Sequence, residues 1–133
     1  MAYNFIKAKN PLQIGEQQFV TASEIRFTNF TSCVGIIAKK GDLLTAVHLV
    51  ERGKTQFKGP DVKWPQDLDK IAEPFGAQAA TFIMQNILPS DYEKIMIIGC
   101  TSAWRQNTAR AGFEKLLAQC VKKGVTIEDI LFP

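Results

Sequence analysis

The sequence has few of the residues that build disulfide or metal scaffolds. It contains three cysteines and one histidine among 133 residues. Cys33, Cys100 and Cys120 are an odd and widely spaced set, which argues against a disulfide framework and favours reduced thiols. No Cys-x-x-Cys or paired histidine spacing predicts a metal site, so we expect neither metal nor cofactor. A zinc site built from Cys33, His48 and Cys100 has only the ligand types in its favour.

Long apolar runs and strong net charge are also missing. The first ten residues lack the apolar core of roughly 7 to 15 residues that a secretory signal needs, and no run of about 18 predicts a membrane span. The net charge is only +3, from 16 basic and 13 acidic residues scattered along the chain. We therefore expect a cytoplasmic protein with no membrane insertion and no nucleic-acid partner, while export without a signal peptide stays open.

What is present is the composition of an ordinary folded domain. Hydrophobic residues make up 46% of the chain and charged residues 22%, close to the averages for soluble globular proteins. The length fits one domain over residues 1–133.

Apolar periodicity predicts an order of strands, helix, strand, helix, strand. Predicted strands cover residues 18–28, 33–38, 43–50, 94–100 and 125–132. Those at 33–38 and 43–50 are apolar on both faces, as expected for strands covered on both sides. Residues 52–66 have no periodicity and predict a long loop.

Two helices are predicted between the later strands. The first covers residues 74–88, with Pro74 in its first turn. The second begins at an Asn107 or Thr108 cap and ends before Gly124. Its apolar stripe consists of Phe113, Leu116, Leu117, Cys120 and Val121. This order predicts an α+β fold in which the helices pack outside a buried, mostly antiparallel sheet or sandwich.

The side chains best suited to catalysis lie in the segment TSCVGIIAKKGDLLTAVHL, residues 31–49. This segment holds Cys33 and the only histidine, His48. A KKGD turn signal stands between them. If the loop is Lys40-Gly41, or all four of these residues, Cys33 and His48 are direct cross-strand partners with Cβ atoms roughly 4.5 to 5.5 Å apart. A three-residue loop with a bulge at Gly41 would shift the pairing by one residue.

Such a pair is typical of thiol catalysis. An imidazole that takes the thiol proton produces a thiolate nucleophile, and a third group must hold the ring. The acceptors in question are Thr28, Thr31 or a main-chain carbonyl. The alternative interpretation is a small buried cysteine beside a core histidine bonded to the backbone. Geometry predicted from the sequence does not separate these two interpretations.

The chain resembles the chemoreceptor glutamine deamidase (CheD) family and, more distantly, the catalytic domain of cytotoxic necrotizing factor toxins. The resemblance starts at TSCVGI and AVHLV. It continues in order through FGAQAATFIMQNIL, IMIIGC and NTARAGFEKLLAQCVKKGVTIEDI, and so covers nearly the whole chain. It departs from the family where LVER follows the histidine in place of a Leu-Pro end, and where Gly99-Cys100 replaces a glycine pair.

The resemblance implies a CheD-like layered fold with two main helices, and a bacterial cysteine-dependent protein-glutamine glutaminase. Cys33 would attack the amide carbon of a glutamine side chain, and His48 would protonate the leaving ammonia and activate water. Thr28 lies near the family's third catalytic position, with Thr31 as its alternative. The implied target is a chemoreceptor in chemotaxis or another protein, in the same cell or, for an effector toxin, in a host.

Three residues are candidates for substrate binding: Ser32, Trp104 and Arg105. Tryptophan and arginine are common anchors at protein interfaces, although Trp104 packed over the sheet edge is an equal alternative. Two other functions stay open, because a fold does not determine a function. One is a non-catalytic regulatory module of the same fold that binds a signalling protein, and the other is a Cys–His enzyme that performs transglutamination or peptide cleavage.

Overall fold

The computed structural model describes residues 3–28, 32–54, 71–106, 109–122, 124 and 127–130. The strands are β1 (Ile6–Lys7), β2 (Gln18–Ala22), β3 (Val34–Lys40), β4 (Leu43–Leu49), β5 (Arg52–Lys54), β6 (Ile71–Pro74), β7 (Lys94–Gly99) and β8 (Ile127–Ile130). The helices are α1 (Ala77–Phe82), α2 (Thr101–Gln106) and α3 (Arg110–Lys122), and α1 continues directly into a π-helical turn at Ile83–Ile87.

Six of these strands form one mixed sheet in the order β1-β2-β4-β3-β7-β8. The central pairs are antiparallel, whereas β1 with β2 and β7 with β8 are parallel. β5 and β6 form a small antiparallel pair of their own. The helices pack on the sheet, so the predicted α+β class is confirmed. Among the described residues, none of the helices has the length and apolar character needed to cross a membrane.

The β3–β4 hairpin turns through two residues, Gly41 and Asp42, since Lys40 pairs with Leu43. Gly41 has φ of +58°, and glycine with positive φ at the first loop position is what a type II′ turn requires. The predicted loops at Lys40-Gly41 or across all four turn residues are therefore wrong. The true turn moves every pairing by two residues along one strand, which keeps each side chain on its predicted face.

Both faces of the central strands are covered, as predicted from their apolar character. One face carries the main core, in which strand residues such as Ile36, Val47 and Ile97 meet Ile83 of the π-helical turn and Phe113 of α3. The opposite face carries a smaller cluster formed by Ala8, Ile14, Val20 and Ala46, with Ile25 and Phe27 against it. The second face is covered by the segment before and after β2.

That covering explains why the first predicted strand is too long. β2 stops at Ala22, and the following residues run back beside Ile14, which forms an isolated parallel bridge with Phe27. The Ile14 N–H donates to the Arg26 carbonyl at 2.9 Å. Residues 23–28 thus become a lid over the sheet.

The helices differ from the prediction in three respects. Pro74 ends β6 and does not begin a helix, and Gly76 precedes α1. α2 lies between the predicted strand at 94–100 and the second predicted helix, where no helix was predicted. Val121, predicted in the apolar stripe of α3, is 61% exposed, while Phe113, Leu116 and Cys120 are buried as predicted.

The end of α3 follows the prediction. Gly124 has φ of +70°, and its N–H donates to the Val121 carbonyl at 2.9 Å, which is how glycine ends helices. The predicted caps Asn107 and Thr108 lie outside the described residues, as does most of the predicted loop at 52–66, of which residues 52–54 form β5.

Close contact between α3 and the start of α1 depends on Gly112. A Cβ atom added to Gly112 would lie 2.5 Å from the carbonyl carbon of Gly76 and 2.6 Å from its Cα. These are backbone atoms, which cannot rotate away as a side chain can. The two helical segments therefore approach closely only because Gly112 lacks a side chain.

We predict that Gly112→Ala destabilises the fold by about 2 kcal/mol. Alanine gains about 0.8–1.0 kcal/mol in helix propensity, but overpacking costs typically about 1–3 kcal/mol and more where backbone must move. Urea unfolding measures the change. Lys115→Ala, at an exposed position of the same helix, serves as the control and should change stability by less than about 0.5 kcal/mol. An unchanged or more stable Gly112→Ala protein would contradict the close helix contact.

Candidate functional site

Cys33 lies immediately before β3 and is 4% exposed. Its carbonyl accepts a hydrogen bond from the Cys100 N–H at 3.2 Å. The preceding carbonyl, that of Ser32, accepts the indole N–H of Trp104 at 2.7 Å. The backbone on both sides of the thiol is therefore held by the segment that ends β7 and forms α2.

His48 lies in β4 and is fully buried. Its ladder partner on β3 is Gly35. The imidazole ring meets Phe27 edge to face, with centroids 5.7 Å apart and an interplanar angle of 82°. His48 thus lies on the sheet face away from the helices, under the lid formed by residues 23–28.

The predicted direct pairing of Cys33 with His48 is replaced by a diagonal one. Because Gly35 is opposite His48, Cys33 stands two residues before that pairing, just ahead of the first residue of β3. Residues two apart share a face while the backbone stays extended, and a shift of two residues preserves the parity of the predicted pairing. Diagonal neighbours have Cα atoms about 7–8 Å apart, a separation that long and aromatic side chains can bridge.

A main-chain carbonyl orients the imidazole ring. His48 Nδ1 lies 2.9 Å from the Ile14 carbonyl oxygen. A carbonyl can only accept a hydrogen bond, so Nδ1 carries the proton and, in the neutral ring, Nε2 is the basic nitrogen. This is one of the three orienting groups that the sequence left open. A carbonyl has no signature of its own in a sequence, and Ile14 had no reason to stand out.

Thr28 takes part through its backbone. Thr28 is an exposed residue, and its N–H donates to the same Ile14 carbonyl at 3.0 Å. Thr28 therefore helps to fix the acceptor that holds His48, through an atom that every residue except proline possesses. Thr31 lies outside the described residues.

The turn from Ile14 to Gln18 also forms a hydrogen bond with the backbone of His48. The Gln17 N–H donates to the His48 carbonyl at 2.8 Å, and the Gln17 side chain donates to the Asn4 carbonyl at 2.9 Å. Gln17 has φ of +60°, a left-handed conformation that costs energy for a residue with a side chain. Both the ring and the main chain of His48 are thus positioned by one strained turn.

Burial lowers the pKa of the His48 imidazole below its ordinary value. The hydrogen bond to the Ile14 carbonyl and the negative charge of Glu16 act in the opposite direction without reversing the shift. His48 is therefore neutral at neutral pH, which is the form a general base requires.

Tyr3 reaches the same end of the sheet from the N-terminal segment. Its hydroxyl donates to the Val50 carbonyl at 2.7 Å and accepts the Val50 N–H at 2.8 Å. Burial raises the pKa of this hydroxyl far above its ordinary range; the hydrogen bond from the Val50 N–H opposes the shift, and the electrostatic influence of Cys33 and Glu16 adds to it. Tyr3 is a neutral phenol that holds the end of β4 close to Cys33.

A groove of about 480 Å³ has Tyr3 as one of its lining residues. Two of its walls are the rings of Phe5 and Phe82, which stack with centroids 5.8 Å apart. The described residues that line it are uncharged: Tyr3, Asn4, Phe5, Pro74, Gly76, Ala77, Gln78, Ala79 and Phe82. The sequence analysis did not identify this groove, since its walls come from segments about 70 residues apart.

The three candidate substrate-binding residues have different surroundings. Trp104 is 1% exposed and packs between Phe75 and Phe113, so the alternative of a packed tryptophan is the one observed and a surface anchor at this position is excluded. Arg105 is exposed, with its guanidinium carbon 6.0 Å from the Phe113 ring centroid. Ser32 is exposed beside the buried Cys33.

The part of the chain described by the structure contains no group of three or more His, Cys, Asp or Glu residues arranged to hold a metal ion. Cys33, His48 and Cys100 therefore do not form the zinc site that their types allowed.

No protein-family model matches the chain, and no curated protein or solved structure is significantly similar to it.

We predict that His48 makes the fold less stable in mild acid. Its folded-state pKa lies below the ordinary value of 6.5, so the unfolded chain binds the proton more readily. The contribution of the neutral imidazole to the free energy of unfolding is complete above pH 6.5, and it is lost as the pH falls from there through the folded-state pKa. Urea unfolding at several pH values between 5 and 8 measures it.

The control is His48→Gln, whose amide can still donate to the Ile14 carbonyl but does not titrate. The difference in unfolding free energy between wild type and this variant should shrink as the pH falls below 6.5. A difference that stays constant, or grows towards acid pH, would contradict a buried neutral imidazole.

Proposed function

We propose that the protein is a cysteine-dependent deamidase of glutamine side chains in other proteins. The observation that supports it best is the His48 ring, whose Nδ1 is bound by the Ile14 carbonyl, which makes Nε2 the basic nitrogen on the face shared with the Cys33 position. This is the arrangement needed to draw a proton from a thiol. The ordered resemblance of the surrounding segments to the CheD family points to glutamine as the substrate group.

In the first half of the reaction, His48 Nε2 takes the Cys33 proton and the thiolate sulfur attacks the amide carbon of the target glutamine. The carbonyl becomes an oxyanion, which main-chain N–H groups near Cys33 stabilise. As the oxyanion collapses, the C–N bond breaks and the imidazolium gives its proton to the departing ammonia. A thioester between Cys33 and the substrate side chain remains.

In the second half, neutral His48 takes a proton from water, and the hydroxide attacks the thioester carbon. The C–S bond breaks and the sulfur recovers the proton from His48. The products are a glutamate side chain and a free thiol. Every step uses the chain's own residues and water, and the ammonia carries away one nitrogen for each glutamine converted.

The cell setting in this proposal is bacterial and cytoplasmic, with a chemoreceptor or another glutamine-bearing protein as the target and a regulatory protein as a further partner. Export to act as an effector on a host protein is consistent with the same chemistry.

Burial favours a second candidate, a non-catalytic binding module of the same fold. His48 is fully buried and Cys33 is 4% exposed, as is common for a structural cysteine and histidine. The two candidates differ in the reactivity of one thiol, which can be measured without knowing the target.

We predict that iodoacetamide modifies Cys33 faster than Cys100 at neutral pH. Exposure alone predicts the reverse order, because Cys100 is partly exposed whereas Cys33 is buried. Only a thiolate formed with the help of His48 would overcome this difference, with an apparent pKa below the value of about 8.5 for a free thiol. Mass spectrometry of the digested protein over time gives the rate at each cysteine.

The matched variant is His48→Gln, which should slow alkylation of Cys33 at least about tenfold at neutral pH while leaving Cys100 unchanged. Cys33 reacting more slowly than Cys100, with no effect of the His48 change, would support the binding module.

We also predict that the protein releases ammonia from a glutamine-rich protein such as casein. Cys33→Ser should abolish the release, since a hydroxyl is a far weaker nucleophile than a thiolate, and Cys100→Ser should retain it. Ammonia is measured with glutamate dehydrogenase, and the converted glutamines are found by mass spectrometry. New peptide termini or glutamine–lysine crosslinks that depend on Cys33 would instead identify a protease or a transglutaminase.

A further inference from the structure

The antiparallel ladder of β3 and β7 brings two cysteines together at its end. The last ladder pair is Val34 with Gly99, and Cys33 and Cys100 are the residues that adjoin this pair, just outside the two strands. Their main chains are joined by the hydrogen bond from the Cys100 N–H to the Cys33 carbonyl, at 3.2 Å. One main-chain bond of this length directly beyond the last ladder pair keeps the two Cα atoms near the spacing of about 5.5 Å that hydrogen-bonded antiparallel pairs have.

Gly99 allows this close approach. It has φ of +115°, and a Cβ atom at this position would lie 2.4 Å from the Cys33 carbonyl oxygen. Any other residue would push the two main chains apart. The glycine therefore holds Cys100 against the backbone of Cys33.

We propose that Cys33 and Cys100 form a reversible disulfide when the protein meets a hydroperoxide. Disulfides join residues whose Cα atoms are about 4.4–6.8 Å apart, and the register places these two within that range. Neither cysteine takes part in a disulfide in the structure, and Cys33 is buried whereas Cys100 is partly exposed. This modification site is independent of the proposed deamidase activity.

The reaction balances with the hydroperoxide as the only oxidant. The Cys33 thiolate attacks one peroxide oxygen, the O–O bond breaks, and an alcohol or water leaves with a proton, so that sulfur becomes a sulfenic acid. The Cys100 thiolate then attacks the Cys33 sulfur. The S–S bond forms as the S–O bond breaks, and the hydroxide leaves as water with the proton from Cys100.

The disulfide would have two consequences for Cys33. It removes the thiol from any reaction, and it prevents further oxidation to the irreversible sulfinic and sulfonic acids. Reduction by a thiol restores the starting state.

Cys120 provides an internal control in the same chain. It is fully buried in α3, and its Sγ lies 4.0 Å from the sulfur of Met84. Cys120 lies in a helix on the helix-covered side of the sheet, so no strand pairing brings another cysteine opposite it.

The test treats the folded, reduced full-length protein with hydrogen peroxide and blocks the remaining thiols with iodoacetamide before tryptic digestion. The three cysteines fall in separate tryptic peptides, residues 27–39, 95–105 and 116–122. We expect a crosslinked pair of the first two in monomeric protein, with loss of alkylation at Cys33 that dithiothreitol restores. Cys120→Ser should leave this result unchanged.

Cys100→Ser and Cys100→Ala should both abolish the crosslink and turn the loss of Cys33 alkylation into one that dithiothreitol does not restore. Crosslinks only between molecules, a link to Cys120, or oxidation of Cys33 without any link in the wild type would overturn the proposal. Because the readout is peptide mass, a protein without deamidase activity can still pass this test, and an active deamidase can fail it.

Discussion

The two-residue turn at Gly41-Asp42 is the constraint on which the arrangement of the site depends. It sets the register of β3 against β4 and so places Gly35 opposite His48. Since glycine has no side chain, β3 puts no atom beyond its backbone directly across from the imidazole. Cys33 lies two residues before Gly35, diagonal to His48 and just ahead of β3. A turn displaced by one residue would send the cysteine to the helix face of the sheet.

The second requirement is a rigid acceptor for the histidine, and it comes from outside the hairpin. The turn that leads into β2 presents the Ile14 carbonyl to the imidazole and the Gln17 N–H to the His48 carbonyl. Gln17 adopts a left-handed conformation to do so. Local strain of this kind persists only where surrounding contacts compensate for it, and here the lid over Ile14 and the Gln17 side-chain bond to Asn4 provide them. Main-chain groups of this one turn thus fix both the ring and the backbone of the buried His48.

Much of the fold was predictable from the sequence because apolar periodicity survives into the folded state. The central strands, the apolar face of α3 and its end at Gly124 follow from patterns that packing did not override. α2 was missed because TSAWRQ is too short to show helical periodicity, and its helical form comes from burying Trp104 against Phe75 and Phe113. Pro74 was assigned to a helix because proline suits a first turn as well as it suits the end of an edge strand.

The sequence by itself determined that Cys33 precedes one strand and His48 lies in the next strand of a doubly covered sheet, since alternation and a turn signal are local properties. Tertiary structure alone decided the partners of these residues: the Ile14 carbonyl for the imidazole, the Trp104 indole and Cys100 amide for the backbone at Cys33, and Tyr3 for the end of β4. The reason is physical. Most of these contacts use main-chain groups that all residues share, and only the folded chain decides which of them meet.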